Sequence, residues 1–272
     1  MACVSMGACT SFDEDQGESL EFRELALGGS VVGSAAEGGG NGGDWIINGL
    51  SEPSVCGVDP DFPLSSPQGL GVNGWLGSGD PEGEEVIRYM VECALPEHDE
   101  VVVQSPQGPL VFEGGIGLAP QWRDGACNEG CQQWVSACLL ARTNAEGNSV
   151  RIHVQGDHPA LGFGEHPDFP HYSASFFGNV FSNPESMHAC QGDPQGVMMA
   201  ALQGRTCSID SDECGFDTYT DCLVDAGCSP SPNGLATMEC QPDINGPSYP
   251  SISVSVAEVD DESIVAEGCA PH

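Results

Sequence analysis

The chain has 272 residues, of which 41 are acidic, six are arginine and none is lysine, so its formal net charge at pH 7 is −35. This charge excludes nucleic acid and anionic membrane surfaces as electrostatic partners, because both are bound through clustered lysine and arginine. It favours a saline habitat or bound cations that screen the repulsion, or alternatively an acidic surface that keeps an extracellular protein soluble. The chain contains no apolar run of the roughly 18 residues that a membrane-spanning helix needs.

The fourteen cysteines point to disulfides and therefore to an exported protein. The chain has no CxxC pair, and the closest spacing is Cys127-x-x-x-Cys131, so zinc-ribbon and haem-attachment motifs are absent. We expect six disulfides among twelve cysteines: Cys56, Cys93, Cys127, Cys131, Cys138, Cys190, Cys207, Cys214, Cys222, Cys228, Cys240 and Cys269. The alternative is that the helical cysteines are reduced and pack as small core residues.

The amino-terminal part is predicted to be a signal remnant followed by a linker. Residues 1–9 end in small residues before Cys9, as a bacterial lipoprotein signal does, which predicts a lipid anchor at Cys9. Residues 10–43 are acidic and glycine-rich and read as a flexible tether, or as a disordered tail without a role. The folded part is predicted as a core domain over 44–204 and a cysteine-rich region over 205–272 that packs on it.

A first helix is predicted after Asp80-Pro81, with a buried stripe at Val86, Met90, Cys93 and Ala94, and Pro96 ends it. A hairpin is predicted next, because two β-prone runs, Glu100–Gln104 and Leu110–Glu113, flank a turn rich in proline and glycine.

The central element is a second helix that begins at the cap residue Asn128, with apolar residues at helical spacing and further apolar residues that widen the buried face. Cys131 and Cys138 share a face but lie roughly 10.5 Å apart along the axis. A disulfide needs Cα atoms about 4.4–6.8 Å apart, so these two cannot bridge each other. We therefore expect each to reach another segment, with Cys93 as the first candidate partner.

The alternation of apolar and polar residues predicts strands at Ser149–Gln155 and Ser251–Val256, the latter a final strand for which an edge position is one option. Tyr172–Phe181 is predicted as another strand, or as a strand and turn broken at Gly178-Asn179. The five cysteines between Cys207 and Cys240 predict a loop-rich segment held by bridges. The predicted fold class is therefore α+β, with short mixed strands, two main helices, disulfide staples and a cysteine-dense carboxy-terminal region.

Five segments carry a resemblance to known sequences: Arg88–Pro96, Gly117–Trp122, Cys131–Ile152, Gly156–Leu161 and Ser175–Phe181. Together they resemble uncharacterised exported proteins of marine myxobacteria over about residues 80–230. The resemblance implies a secreted or lipid-anchored protein and carries no activity.

Two groups of residues are candidate metal ligands. His158, His166 and His171 lie among carboxylates and could hold zinc or copper, although exposed histidines would give the same pattern. Asp210, Asp212 and Asp221 echo positions 1, 3 and 12 of a calcium loop, although an acidic disulfide loop would do so too.

From these observations we expect an exported, disulfide-stabilised protein at the cell surface or outside the cell. Its role is structural, adhesive or binding, with calcium and self-assembly into oligomers or fibres as options. The alternative is a secreted metal-dependent hydrolase that uses the His158–His171 region. No GxSxG motif of a serine hydrolase occurs.

Overall fold

A computed structural model describes residues 32–33, 45–51, 53–55, 57–70, 81–105, 108–145, 147–209 and 214–259. Within these ranges it confirms an α+β fold stapled by disulfides. The helices are α1 (Pro81–Ala94), α2 (Glu129–Arg142) and α3 (Pro194–Leu202). The strands are β1 (Val32–Gly33), β2 (Trp45–Asn48), β3 (Glu100–Ser105), β4 (Gly108–Glu113), β5 (Val150–Gln155), β6 (His171–Asn179), β7 (Ser186–Gln191), β8 (Asp217–Tyr219), β9 (Cys228–Pro230), β10 (Thr237–Cys240), β11 (Tyr249–Pro250) and β12 (Ile252–Val256).

The main sheet has seven strands in the order β1-β2-β5-β12-β6-β7-β8. All neighbours are antiparallel except β7 and β8, which are parallel. β12 therefore lies in the middle of the sheet, between β5 and β6, and the edge position considered for it is wrong. Because β8 and β12 come from the segment 205–272, that segment supplies strands to the main sheet. β3 and β4 form a separate hairpin, as predicted, and β9, β10 and β11 form a third, small sheet.

The two faces of the main sheet are covered differently, which explains how a serine-rich strand can be central. Ile252, Val254 and Val256 belong to the large apolar core that contains buried residues of α1, α2 and α3. The alternate residues Ser251 and Ser253 are equally buried, but they hydrogen-bond to Thr237 of β10 on the other face. A strand with one buried polar face is stable here because neighbouring groups hydrogen-bond to its serine hydroxyls.

Helix α2 is held at both ends, and the contacts at its first turn are the ones that its sequence predicts. Its first turn is capped by Asn128, whose side chain accepts a hydrogen bond from Cys131 N at 3.0 Å. Cys138 forms a disulfide with Cys93 of α1. At the carboxyl end, buried Arg142 donates to Glu92 Oε2 at 2.6 Å, and its guanidinium lies 3.9 Å from the centre of the Tyr89 ring. The disulfide and the ion pair join α1 to α2.

Candidate functional site

A second, smaller core lies between the main sheet and the segment 217–250. Its buried members are Phe177, Cys190, Cys222, Ala226, Cys228, Cys240 and Tyr249. The four cysteines form two disulfides, Cys190–Cys222 and Cys228–Cys240, which we call the disulfide pair. Cys190 Sγ lies 3.9 Å from Cys228 Sγ, so the two bridges pack against each other. This part of the fold therefore depends on covalent bonds where apolar residues are few.

Next to the disulfide pair is a group of hydroxyls, here called the hydroxyl cluster: Tyr172, Ser175, Thr237, Ser251 and Ser253. Ser175 Oγ is its centre, at 2.7 Å from Tyr172 Oη, 2.7 Å from Ser253 Oγ and 2.8 Å from Thr237 Oγ1. Thr237 Oγ1 also lies 2.7 Å from Ser251 Oγ. Buried polar groups with several partners fix side-chain positions, so the cluster makes this region rigid.

A pocket of about 240 Å³ opens at the edge of these two features. Tyr172, Cys222 and Thr237 bring the hydroxyl cluster and the disulfide pair to its wall. The rest of the lining comes from the ends of β7 and β9 and from loops: Gln191, Gly192, Asp193, Thr220, Asp221, Leu223, Pro230, Gly234 and Ala236. The pocket therefore combines a mainly apolar surface with a few polar groups, as ligand pockets commonly do.

Two carboxylates give the pocket its charge. Asp193 Oδ1 accepts a hydrogen bond from Gly196 N at 2.7 Å and so caps α3. Asp221 Oδ1 accepts from the N–H groups of Leu223 and Val224, both at 2.8 Å. Each carboxylate is thus held in place by one oxygen. None of the described lining residues is basic, so the pocket repels anions.

Tyr172 enters the pocket wall as a neutral phenol. Burial raises the pKa of Tyr172, and the charge of Asp193 raises it further, whereas hydrogen bonds to Ser175, Ser253 and Thr237 oppose this shift. At neutral pH its hydroxyl therefore remains protonated. It lies 2.7 Å from Ser175 Oγ and 3.3 Å from Cys222 Sγ, which connects the cluster to the disulfide pair.

Ten of the twelve predicted disulfide cysteines are paired in the described residues. The remaining bridges are Cys93–Cys138, Cys127–Cys131 and Cys207–Cys214. Cys56 and Cys269 lie outside the described residues, as does the predicted lipid-anchor residue Cys9. The Sγ atoms of Cys190, Cys222 and Cys228 lie within 4.8 Å of one another. Because each of these sulfurs is bonded to another sulfur, their closeness reflects the packing of two disulfides and not a set of thiolate ligands.

The three histidines predicted as zinc or copper ligands do not meet. Across the described ranges, the group of three cysteines is the one cluster with ligand atoms this close. His158 packs on Trp134, with ring centres 4.9 Å apart, and His166 packs on Phe169 at 5.0 Å. His171 instead lies in β6, and its Nε2 is 2.7 Å from Glu258 Oε2. Their spacing along the chain did not show that a strand directs His171, and loops direct His158 and His166, to different neighbours.

The structure describes only one of the three residues of the predicted calcium site. Asp210 and Asp212 lie outside the described residues. Asp221 is described, and it lines the pocket while its Oδ1 holds a turn. Cys207 pairs with Cys214 and Cys222 pairs with Cys190, so Asp221 lies outside the loop that the first bridge closes. Calcium binding therefore stays a prediction.

Sequence reasoning missed the pocket, although one signal pointed to its wall. Serines alternate with apolar residues in both β6 and β12, and such strands present one apolar and one hydroxyl face. This alternation would have predicted a second layer packed on the serine face only if both faces of the sheet were assumed to be buried.

Comparison with known proteins adds no family: no protein-family model, curated protein or solved structure matches this chain. No helix within the described ranges has the length and apolar character needed to cross a membrane.

Proposed function

We propose that this chain is an exported, disulfide-stabilised binding protein whose ligand occupies the pocket beside the disulfide pair. The observation that carries this proposal is a concavity of about 240 Å³ whose wall is held by a disulfide and a hydroxyl cluster. A wall of this kind is formed before the ligand arrives, which reduces the ordering entropy lost on binding. Export is supported by the five disulfides among the described residues, because such bridges persist in oxidising compartments.

The pocket favours a small organic cation. Asp193 and Asp221 line the pocket, and each uses its Oδ1 to accept backbone N–H groups, so both keep a negative charge beside the cavity. The formal net charge of −35 adds a long-range field that attracts cations and repels anions. Leu223, Pro230 and Ala236 supply apolar contact for the carbon skeleton of such a ligand.

The test compares three molecules of similar length: cadaverine, 1,5-pentanediol and glutarate. Binding is followed by amide chemical shifts of the intact oxidised protein. We expect cadaverine to shift amides around residues 191–193 and 220–223, with an affinity that falls as salt is added. The diol should bind more weakly and the dicarboxylate not at all.

A matched pair of variants separates the pocket from the general acidity of the surface. Asp193→Asn with Asp221→Asn removes two charges while it keeps the oxygens that cap backbone N–H groups. Asp157→Asn with Asp168→Asn removes the same charge from exposed positions elsewhere. Equal loss of cadaverine binding in both variants, or equal binding of glutarate, would show that the pocket is not a cation site.

A structural, self-assembling role is a second candidate, because the β3–β4 hairpin exposes a cross-strand pair of valines. Val102 and Val111 face each other and are 48% and 54% exposed. Open edges of a two-stranded sheet can pair with another chain, and adjacent exposed apolar side chains would add contact area to such a pairing. The test is sedimentation velocity at high salt, where repulsion is screened. Self-association that Val102→Thr with Val111→Thr removes would support this role, and a monomer at all concentrations would contradict it.

A further inference from the structure

A serine, a histidine and an aspartate lie in line at the end of the main sheet, away from the pocket lining. Ser186 and His188 are two residues apart on β7 and therefore project from the same face. β8 runs parallel to β7 with Asp217 directly opposite His188. Ser186 Oγ lies 2.9 Å from His188 Nε2, and His188 Nδ1 lies 3.5 Å from Asp217 Oδ2.

We propose that Ser186, His188 and Asp217 form a nucleophile, a general base and an orienting carboxylate for acyl transfer from small esters. In the first step Ser186 Oγ forms a bond to the ester carbonyl carbon while its proton passes to His188 Nε2. The carbon–oxygen bond to the alcohol then breaks, and His188 returns the proton to that leaving group. In the second step water bonds to the acyl carbon and gives a proton to the same imidazole. The bond from that carbon to Ser186 Oγ then breaks, the carboxylic acid leaves, and His188 returns the proton to Oγ. Such a constellation is recognised by geometry and not by its order in the chain.

The surroundings of His188 suit a base. Its ring stacks on Phe177, with centres 5.2 Å apart and planes at 22°, and the rings of Tyr219 and Tyr249 lie at 6.0 Å and 5.8 Å. The side chain is only 11% exposed. Burial lowers the pKa of His188 from its ordinary 6.5, while the charges of Asp217 and Asp243 oppose this shift. The imidazole is therefore neutral at neutral pH and able to accept a proton.

Two tyrosines compete for the same hydrogen bonds. Tyr219 Oη lies 3.5 Å from His188 Nδ1, and the Ser186 hydroxyl can donate to Tyr249 Oη at 3.0 Å instead of to the histidine. The negative charge of Asp217 favours a proton on Nδ1, which leaves Nε2 as the acceptor for Ser186. Removing the Tyr249 hydroxyl should then direct the serine proton to His188 more often, so Tyr249 is a positioning residue.

Replacing Asp217 should slow acylation less than replacing His188. Its carboxylate is 77% exposed, and solvent weakens its interaction with the imidazole. We therefore expect Asp217→Asn to slow acylation by about fivefold at most. Loss of the base in His188→Gln should slow it by about a hundredfold or more.

The experiment treats the full, oxidised chain with an alkyl fluorophosphonate and follows the intact mass. A productive serine forms an Oγ–P bond, fluoride leaves, and the serine proton passes through His188 to solvent. We expect one adduct, mapped by peptide mass spectrometry to Ser186 and absent in Ser186→Ala. Ser182→Ala is the matched control, because Ser182 belongs to the preceding turn and bonds only to the carbonyls of Asn179 and Pro184 in the described structure.

Further readouts separate catalysis from folding. The Tyr249→Phe variant should react with the fluorophosphonate at least as fast as the natural chain. In the natural chain the labelling rate should rise with pH through the lowered pKa of His188 and then level off. Hydrolysis of p-nitrophenyl acetate with a burst of p-nitrophenol would give the corresponding turnover. The proposal fails if no adduct forms, if the adduct persists in Ser186→Ala, or if the rate does not depend on His188 and pH. None of these results bears on cation binding in the pocket.

Discussion

The disulfide between α1 and α2 should contribute more to stability than the short bridge at the start of α2. Cys93 and Cys138 are separated by 45 residues, whereas Cys127 and Cys131 are separated by four. If a bridge acts mainly by reducing the entropy of the unfolded chain, a loop of the first size contributes about 4 kcal/mol and one of the second size about 2 kcal/mol. The variant Cys93→Ala with Cys138→Val should therefore lose about twice as much stability as Cys127→Ala with Cys131→Ala. Replacing both partners avoids a free thiol, and the valine limits the cavity in the buried core.

The assay is equilibrium unfolding in guanidinium chloride without reductant, followed by tryptophan fluorescence. Trp122 is a suitable reporter because it is fully buried in the large core. Intact mass before and after alkylation verifies that the remaining bridges are formed in each variant. Equal losses of unfolding free energy in the two variants, or a larger loss from the four-residue bridge, would refute the loop-entropy reasoning.

Three further predictions concern buried polar groups. Glu92→Gln should lower the free energy of unfolding by about 3–5 kcal/mol, because it leaves the Arg142 guanidinium buried without its carboxylate. Replacing both residues by methionine should lower it by less than this single change. Urea unfolding of the natural chain and the two variants checks this order. Thr237→Val should lower the free energy of unfolding by about 1–3 kcal/mol, since it removes the hydrogen-bond partner of two buried serine hydroxyls. A smaller loss in thermal unfolding would mean that a water molecule replaces the threonine hydroxyl. Burial lowers the pKa of His188, so the unfolded chain binds more protons below pH 6.5 and stability should decrease as pH falls from 6.5 through the folded pKa. His188→Gln should flatten this pH dependence, and an unchanged slope would contradict the assignment.

Helices α1 and α2 and the hairpin could be predicted because their signals are local. The cap at Asn128 lies within a few residues of the apolar stripe of α2, and Pro96 lies just after the stripe of α1. Helical geometry converts such short spacing directly into faces. The same geometry shows that Cys131 and Cys138 cannot pair, and it turns Cys93 toward the partner helix, which is where the structure bonds it to Cys138. Composition likewise predicted disulfides, since the cysteine number depends on compartment and not on topology.

The position of β12 could not be read from its sequence. An alternating serine strand is compatible with an edge that faces water and with a centre that faces another polar layer. Ser253 is buried because β10 supplies Thr237 across sixteen residues of chain, and that pairing depends on how the segment 217–250 folds back over the sheet. The third helix gives too short an apolar pattern, nine residues in all, to be separated from a strand.

Sequence alone thus determined the charge, the use of disulfides and the elements with local periodicity, because each depends on residue identity or on short spacing. Tertiary structure decided which side chains meet. The parallel register of β7 and β8 brings Asp217 opposite His188 from 29 residues away, whereas His158, His166 and His171, which are much closer together in the chain, turn to separate neighbours. The physical reason is that a strand's register and face, not distance along the chain, set the direction of each side chain.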